Sequence, residues 1–105
     1  MILYLSGPIS GDPDYKEKFD AADSYLSTWK EHVVLNPAVL PFGLKRYSDY
    51  MDIGMAMLKT AEGIVMLHGW KSSPGAREEL KAAMERGMKV FFGIEAVPFM
   101  PKEEE

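Results

Sequence analysis

The chain has 105 residues, 47% hydrophobic and 27% charged, with a formal net charge of −4, the make-up of one small globular domain. The acidic balance excludes a binder of polymeric nucleic acid, which needs a basic stripe along the phosphates. The absence of cysteine excludes disulfides, thiolate metal sites and a thiol nucleophile.

"ILYL" (2–5) reads as a buried strand feeding "SGPISGDP", a loop rich in Gly, Pro and Ser. Asp12 and Pro13 suit the N-cap and first position of a helix. Tyr15, Phe19, Ala22, Leu26 and Trp29 recur at helical spacing and predict its apolar face. "HVVLN" (32–36) is a second strand closed by Pro37, and 37–47 is a loop. Ser48 can cap a second helix over 49–61, whose Tyr50, Met51, Ile53, Met55, Met57 and Leu58 surround more of it than one core face requires. A partner chain would account for that width, and so would a helix squeezed between sheet and loops. "GIVML" (63–67) is the third strand, 75–87 the third helix and "MKVFFG" (88–93) the fourth strand. Residues 1–93 thus form one domain, and the acidic, Pro-broken 94–105 is expected to be a tail, a short strand or a fraying arm.

Alternating strands and helices predict an α/β fold with a parallel sheet of four to five strands flanked by helices. Ligands bind such sheets beyond the carboxyl ends of the strands, where the loops 6–13, 36–47 and 68–75 lie. No apolar run approaches the ~20 residues of a bilayer span, and "MILYLSG" lacks a basic leader. The expectation is a cytoplasmic protein with no membrane contact. With only two histidines, no metal site is expected, and no other cofactor. A core this small favours a homodimer or larger homo-oligomer.

Two adjacent glutamates open the third helix. Glu78 falls with Lys81 and Glu85 on a solvated stripe. Glu79 has Gly75, Ala76, Ala82 and Ala83 as helical neighbours, all small, and borders the packed face near the positive helix end. A carboxylate with space beside it suits attack on an electrophilic carbon; a structural glutamate fits the same spacing. Ser72, Ser73, Pro74 and Gly75 lead into the helix, where a serine cap and a phosphate held by Ser73 and free N–H groups are compatible. Trp70 could stack on a base or cover the sheet end. Tyr4 reads as core, and His68 as a loop histidine.

"YLSGPISG" (4–11), "VVLNPA" (33–38), "YMDIGMAML" (50–58) and "GWKSSPGAREE" (69–79) together resemble a small branch of the nucleoside 2-deoxyribosyltransferase superfamily, over residues 1–93. The superfamily includes transferases that exchange bases on deoxyribose and the 2'-deoxynucleoside 5'-phosphate N-hydrolases. The resemblance implies a flavodoxin/Rossmann-like fold and a homodimer or larger assembly. It implies Glu79 as the nucleophile at the anomeric carbon and Tyr4 as the residue that orients it. It further implies Gly7, Pro8, Ile9, Ser10 and Gly11 as the nucleotide cradle and Ser73 as a phosphate contact; Ser6, Asn36, Trp70 and Gly75 are further candidate substrate contacts. Ser73 stands where the phosphate hydrolases carry a phosphate-binding serine and the transferases an aspartate. Active members carry an aspartate where this chain has Gly54, so Asp52 is the carboxylate on that helix left to assist, provided the helix is shifted.

The implied function is cleavage or transfer at the N-glycosidic bond of a (deoxy)nucleoside or its 5'-monophosphate. A non-catalytic nucleotide-binding protein of the same fold is the alternative, and an oligomeric scaffold, suggested by the methionine-rich second helix, is the third reading.

Overall fold

The computed structural model describes residues 1–41, 43–44 and 46–99. Its centre is β1 (Ile2–Ser6), a strand of five residues, buried from Leu3 onward. It pairs in parallel with β2 (Val33–Leu35) on one side and with β3 (Gly63–Met66) on the other, and β3 pairs with β4 (Lys89–Phe92). The order is β2-β1-β3-β4, all parallel, an α/β sheet of the flavodoxin/Rossmann type with four strands among the described residues. The chain leaves β1 toward β2 and returns across it to β3. The point where direction reverses therefore lies between the carboxyl ends of β1 and β3, where a parallel sheet opens a crevice.

Side chains on a strand alternate between faces, and β1 uses both. Leu3 and Leu5 join Phe19, Ala22 and Leu26 of the first helical segment, with Val65 of β3, in one core. Tyr4 joins the opposite core, built with Leu58, Ile64, Met66, Ala76 and Ala83. The helix α1 (Tyr15–Ser24) thus covers one face, and α2 (Tyr47–Thr60) and α3 (Pro74–Glu85) cover the other. Fully buried parallel strands need apolar residues on both faces, and "GIVM" in β3 supplies them.

Several boundaries differ from those read off the sequence. Asp12 does not cap α1. Its carboxylate accepts from the Asp14 N–H at 2.9 Å and pairs with Lys18 at 2.9 Å, so the helix begins at Tyr15. A π-helical turn over Tyr25–Trp29 follows α1. Its wider repeat rotates Trp29 out of the apolar stripe, leaving it 64% exposed and beside Phe99. Ser48 does not cap α2. Asp49 accepts from the Arg46 N–H and guanidinium, both at 3.1 Å, and the helix starts at Tyr47.

The segment after β4 packs against the domain over its described part. Residues Ile94–Ala96 form a 3-10 turn and Val97 enters the core. The buried Lys30 ammonium donates to the carbonyls of Ile94 at 3.2 Å, Glu95 at 3.4 Å and Val97. His32 Nε2 donates to the Pro98 carbonyl at 2.6 Å. Phe42, Lys45 and 100–105 lie outside the described residues, and with them part of the 37–47 loop and the end of the tail.

Candidate active site

The two-residue period of β1 puts Tyr4 and Ser6 on the same face, one pleat apart and directed at α3. Glu79 meets them there. The Tyr4 hydroxyl donates to Glu79 Oε2 at 2.5 Å, and the Ser6 hydroxyl donates to Oε1 at 2.6 Å. Both carboxylate oxygens are fixed, so the side chain has one orientation. Glu79 is 7% exposed, Tyr4 and Ser6 1% each.

Burial raises the Glu79 carboxyl above the ordinary 4.5 of a glutamate. The hydrogen bonds from Ser6 and Tyr4 oppose that rise, and the neighbouring charge of Glu78 adds to it. Burial also pushes the Tyr4 phenol strongly upward, reinforced by the adjacent carboxylate. Tyr4 therefore remains a protonated donor, and a donor of that kind favours the ionised form of Glu79.

Above this triad lies a cleft of about 920 Å³, lined from β1, the loop after it, the starts of α2 and α3 and the loop before α3. Gly7, Pro8, Ile9, Ser10 and Gly11 all line it, as do Ser73 and Gly75. Ser73 caps α3: its hydroxyl oxygen accepts from the Ala76 N–H at 3.2 Å, and Pro74 takes the first helical position. Such a cap stabilises a helix by about 1 kcal/mol. The Asp12–Lys18 pair and His68 also line the cleft, and the exposed Glu78 lies at its rim.

Three residues proposed from the sequence are placed elsewhere. Asp52 is exposed and does not line the cleft, because Gly54, two residues on, is the position facing the site. Two residues turn an α-helix by about 200°, so α2 runs regularly and Asp52 points away. Asn36 is buried under its own network: it donates to Asp20 and Asp23 at 3.1 Å each and accepts from the Ala38 N–H at 2.9 Å, capping the turn at Pro37. Trp70 packs on Phe92, ring centroids 5.6 Å apart, over the end of the sheet and outside the cleft lining.

Gly54 has a role that its identity alone does not reveal. A Cβ there would lie 2.9 Å from Glu79 Oε2 and 2.9 Å from the Tyr4 hydroxyl oxygen. The backbone of α2 thus lies directly over the Tyr4–Glu79 hydrogen bond, and no side chain fits between them. The space that an aspartate would need at 54 is occupied by the Glu79 carboxylate and the Tyr4 hydroxyl. Ser6 was legible as part of the loop after the first strand; its bond to Glu79 was not, because the two are 73 positions apart. Tyr47, placed by the sequence in a loop, lines the cleft from the first turn of α2.

Among the described residues, no group of three or more His, Asp or Glu side chains is placed to hold a metal ion, and no helix is long and apolar enough to cross a membrane. No curated protein and no solved structure matches the chain. Residues 1–92, which contain β1–β4, α1–α3 and the residues that line the cleft, match the family described as Domain of unknown function (DUF4406), and the chain belongs to that family.

Proposed function

We propose that the protein cleaves or transfers at the N-glycosidic bond of a (deoxy)nucleoside or its 5'-monophosphate, with Glu79 as nucleophile. The observation that carries this reading is a buried carboxylate held at both oxygens by hydroxyl donors at the floor of an open cleft. A carboxylate with a single orientation approaches an anomeric carbon without first losing rotamer freedom. Each Glu79 oxygen keeps a lone pair after accepting one hydrogen bond.

In this mechanism Glu79 attacks C1' as the base departs through an oxocarbenium-like transition state. The C1'–N bond breaks, its electron pair leaves with the base, and a C1'–O bond to Glu79 forms. Water or a second base then attacks C1' from the opposite side, so the anomeric configuration is retained overall. Tyr4 and Ser6 hold the carboxylate throughout. The residue resemblance to the deoxyribosyltransferases supports the same assignment. Glu79→Gln keeps volume and removes charge, so release of free base from deoxynucleosides or their monophosphates, followed by chromatography, is expected to fall at least ~100-fold, about 3 kcal/mol of barrier. Glu78→Gln is expected to change it little. Equal base release by Glu79→Gln and wild type would refute the assignment.

A second reading rests on Gly54 and Asp52. With no side chain at the one and the other facing solvent, α2 brings no carboxylate to the cleft to assist the base or sugar. On that reading the protein binds a nucleotide without turning it over. A rise in melting temperature with a nucleotide that is never cleaved distinguishes it.

A further inference from the structure

The cleft holds two tyrosines from the same helix, and their hydroxyls differ in one respect. Tyr50 is engaged by the chain itself: its hydroxyl donates to the Pro41 carbonyl at 2.9 Å and accepts from the Leu44 N–H at 3.3 Å. Tyr47, one turn earlier, has no hydrogen-bond partner for its hydroxyl among the described residues. The residue is 55% exposed, so the chain has not buried it for core stability.

Where that hydroxyl lies is set by Gly75. A Cβ at Gly75 would come within 2.7 Å of the Tyr47 hydroxyl oxygen and 3.2 Å of Met51 Sδ. Glycine in the first turn of a helix forfeits helix propensity, and here the missing methyl is the space that Tyr47 occupies. Gly75 and Glu79 are four residues apart on α3, neighbours on one helix face. The hydroxyl therefore stands beside the residue one helical turn before Glu79, on the same wall of the cleft. Partial desolvation on its cleft side and the charges of Glu78 and Glu79 raise the Tyr47 phenol above the ordinary value, which keeps the proton on the oxygen.

We propose that Tyr47 is a substrate-contact residue, whose hydroxyl donates a hydrogen bond to an oxygen of the molecule held between α2 and the first turn of α3, and that Gly75 is glycine to let it reach there. This rests on the nucleoside reading of the cleft. In that reading the bonded oxygen belongs to the part of the substrate one helical turn from the carbon attacked by Glu79, a sugar hydroxyl or its 5'-oxygen. The contact selects for an oxygen acceptor at that position and raises affinity without touching the bond that breaks.

Thermal-shift titration against a panel of deoxynucleosides and deoxynucleoside 5'-monophosphates tests the proposal. Tyr47→Phe is expected to leave the melting temperature of the free protein unchanged, because the lost hydroxyl has no partner among the described residues. It is expected to weaken the best-bound panel member about 3- to 10-fold, the range of one neutral hydrogen bond. If base is released, KM is expected to rise with kcat nearly constant. Gly75→Ala is expected to weaken the same ligand by displacing Tyr47, and the double variant to bind no worse than Tyr47→Phe alone, since the phenylalanine leaves room for the new methyl. Unchanged affinity in Tyr47→Phe, with wild type binding, overturns the role of Tyr47 and leaves the cleft assignment standing. Additive losses in the double variant overturn the role of Gly75. Failure of every panel member to shift wild type overturns both this proposal and the function on which it rests.

Discussion

Replacing Gly54 with alanine tests how tightly α2 is held against the site. The new methyl would lie 2.9 Å from both Glu79 Oε2 and the Tyr4 hydroxyl oxygen, about 0.5 Å inside the 3.4 Å at which ordinary contact begins. Two effects oppose each other. Alanine is favoured over glycine inside a helix by about 1 kcal/mol. Against that, either α2 lifts from the sheet, an overpacking strain of about 1–3 kcal/mol, or Tyr4 and Glu79 part. Parting gives up a hydrogen bond to a charged group, worth about 1.5–3 kcal/mol. These are alternatives, and the protein takes the cheaper. Tyr4 is buried and cannot retreat. The net expectation is a loss of about 1 kcal/mol, a fall of about 4–8 °C in Tm for a domain of this size. Thermal unfolding followed by circular dichroism, with urea unfolding alongside, measures it. In a Tyr4→Phe background one of the two clashing atoms is gone, so Gly54→Ala is expected to cost less there. Gly54→Asp is expected to cost more, because a second carboxylate would be forced toward Glu79. A Gly54→Ala protein that melts above wild type by the propensity gain, with base release intact, would refute the close approach.

The raised Glu79 carboxyl makes stability depend on pH with a defined sign. A carboxyl whose folded value exceeds its unfolded one adds stability below the unfolded value, and that stability is lost as pH rises through the folded value. Glu79→Gln is therefore expected to gain on wild type in Tm as pH rises from below 4.5 to above the folded value. An advantage confined to acid would contradict it. Base release, which needs the ionised form, is expected to have its acid limb above the ordinary glutamate range; a limb at or below that range would count against Glu79. Light scattering is expected to find a dimer or larger assembly through α2, where Ile53 remains 36% exposed, and Ile53→Glu to weaken it. A wild-type monomer at high micromolar concentration would end that idea.

The layered fold follows from patterns confined to short windows: four apolar runs, three stretches of helical spacing, and turn residues between them. The sequence expectation of β1 as a buried strand followed by a glycine-rich loop matches the structure because alternation along β1 is local. What pairs across β1 is not local. Ser6 looks like the first residue of a loop, and only the packing of α3 on the sheet brings it to Glu79. Asn36 and Trp70 had the right chemistry for a ligand, but side chains that can bond or stack find nearer partners, Asp20 and Asp23 for one and Phe92 for the other. Trp29 was misplaced because a π turn changes the helical repeat without leaving a mark in the apolar spacing. α2 starts at Tyr47, two residues before the expected 49, because Asp49 reaches back to Arg46, and that shift is what brings Tyr47 to the cleft wall.

The Lys30 clamp sets where this domain can be cut. The family match ends at residue 92, and a truncation there would look natural from sequence similarity alone. It would strip from the buried ammonium the carbonyls of Ile94, Glu95 and Val97, and empty the core position that Val97 fills. A buried charge deprived of its acceptors costs several kcal/mol, a large share of what holds a domain of this length together. Shortened forms, fusions and permuted versions of the protein therefore need to carry the chain through Pro98, whose carbonyl completes the clamp at His32.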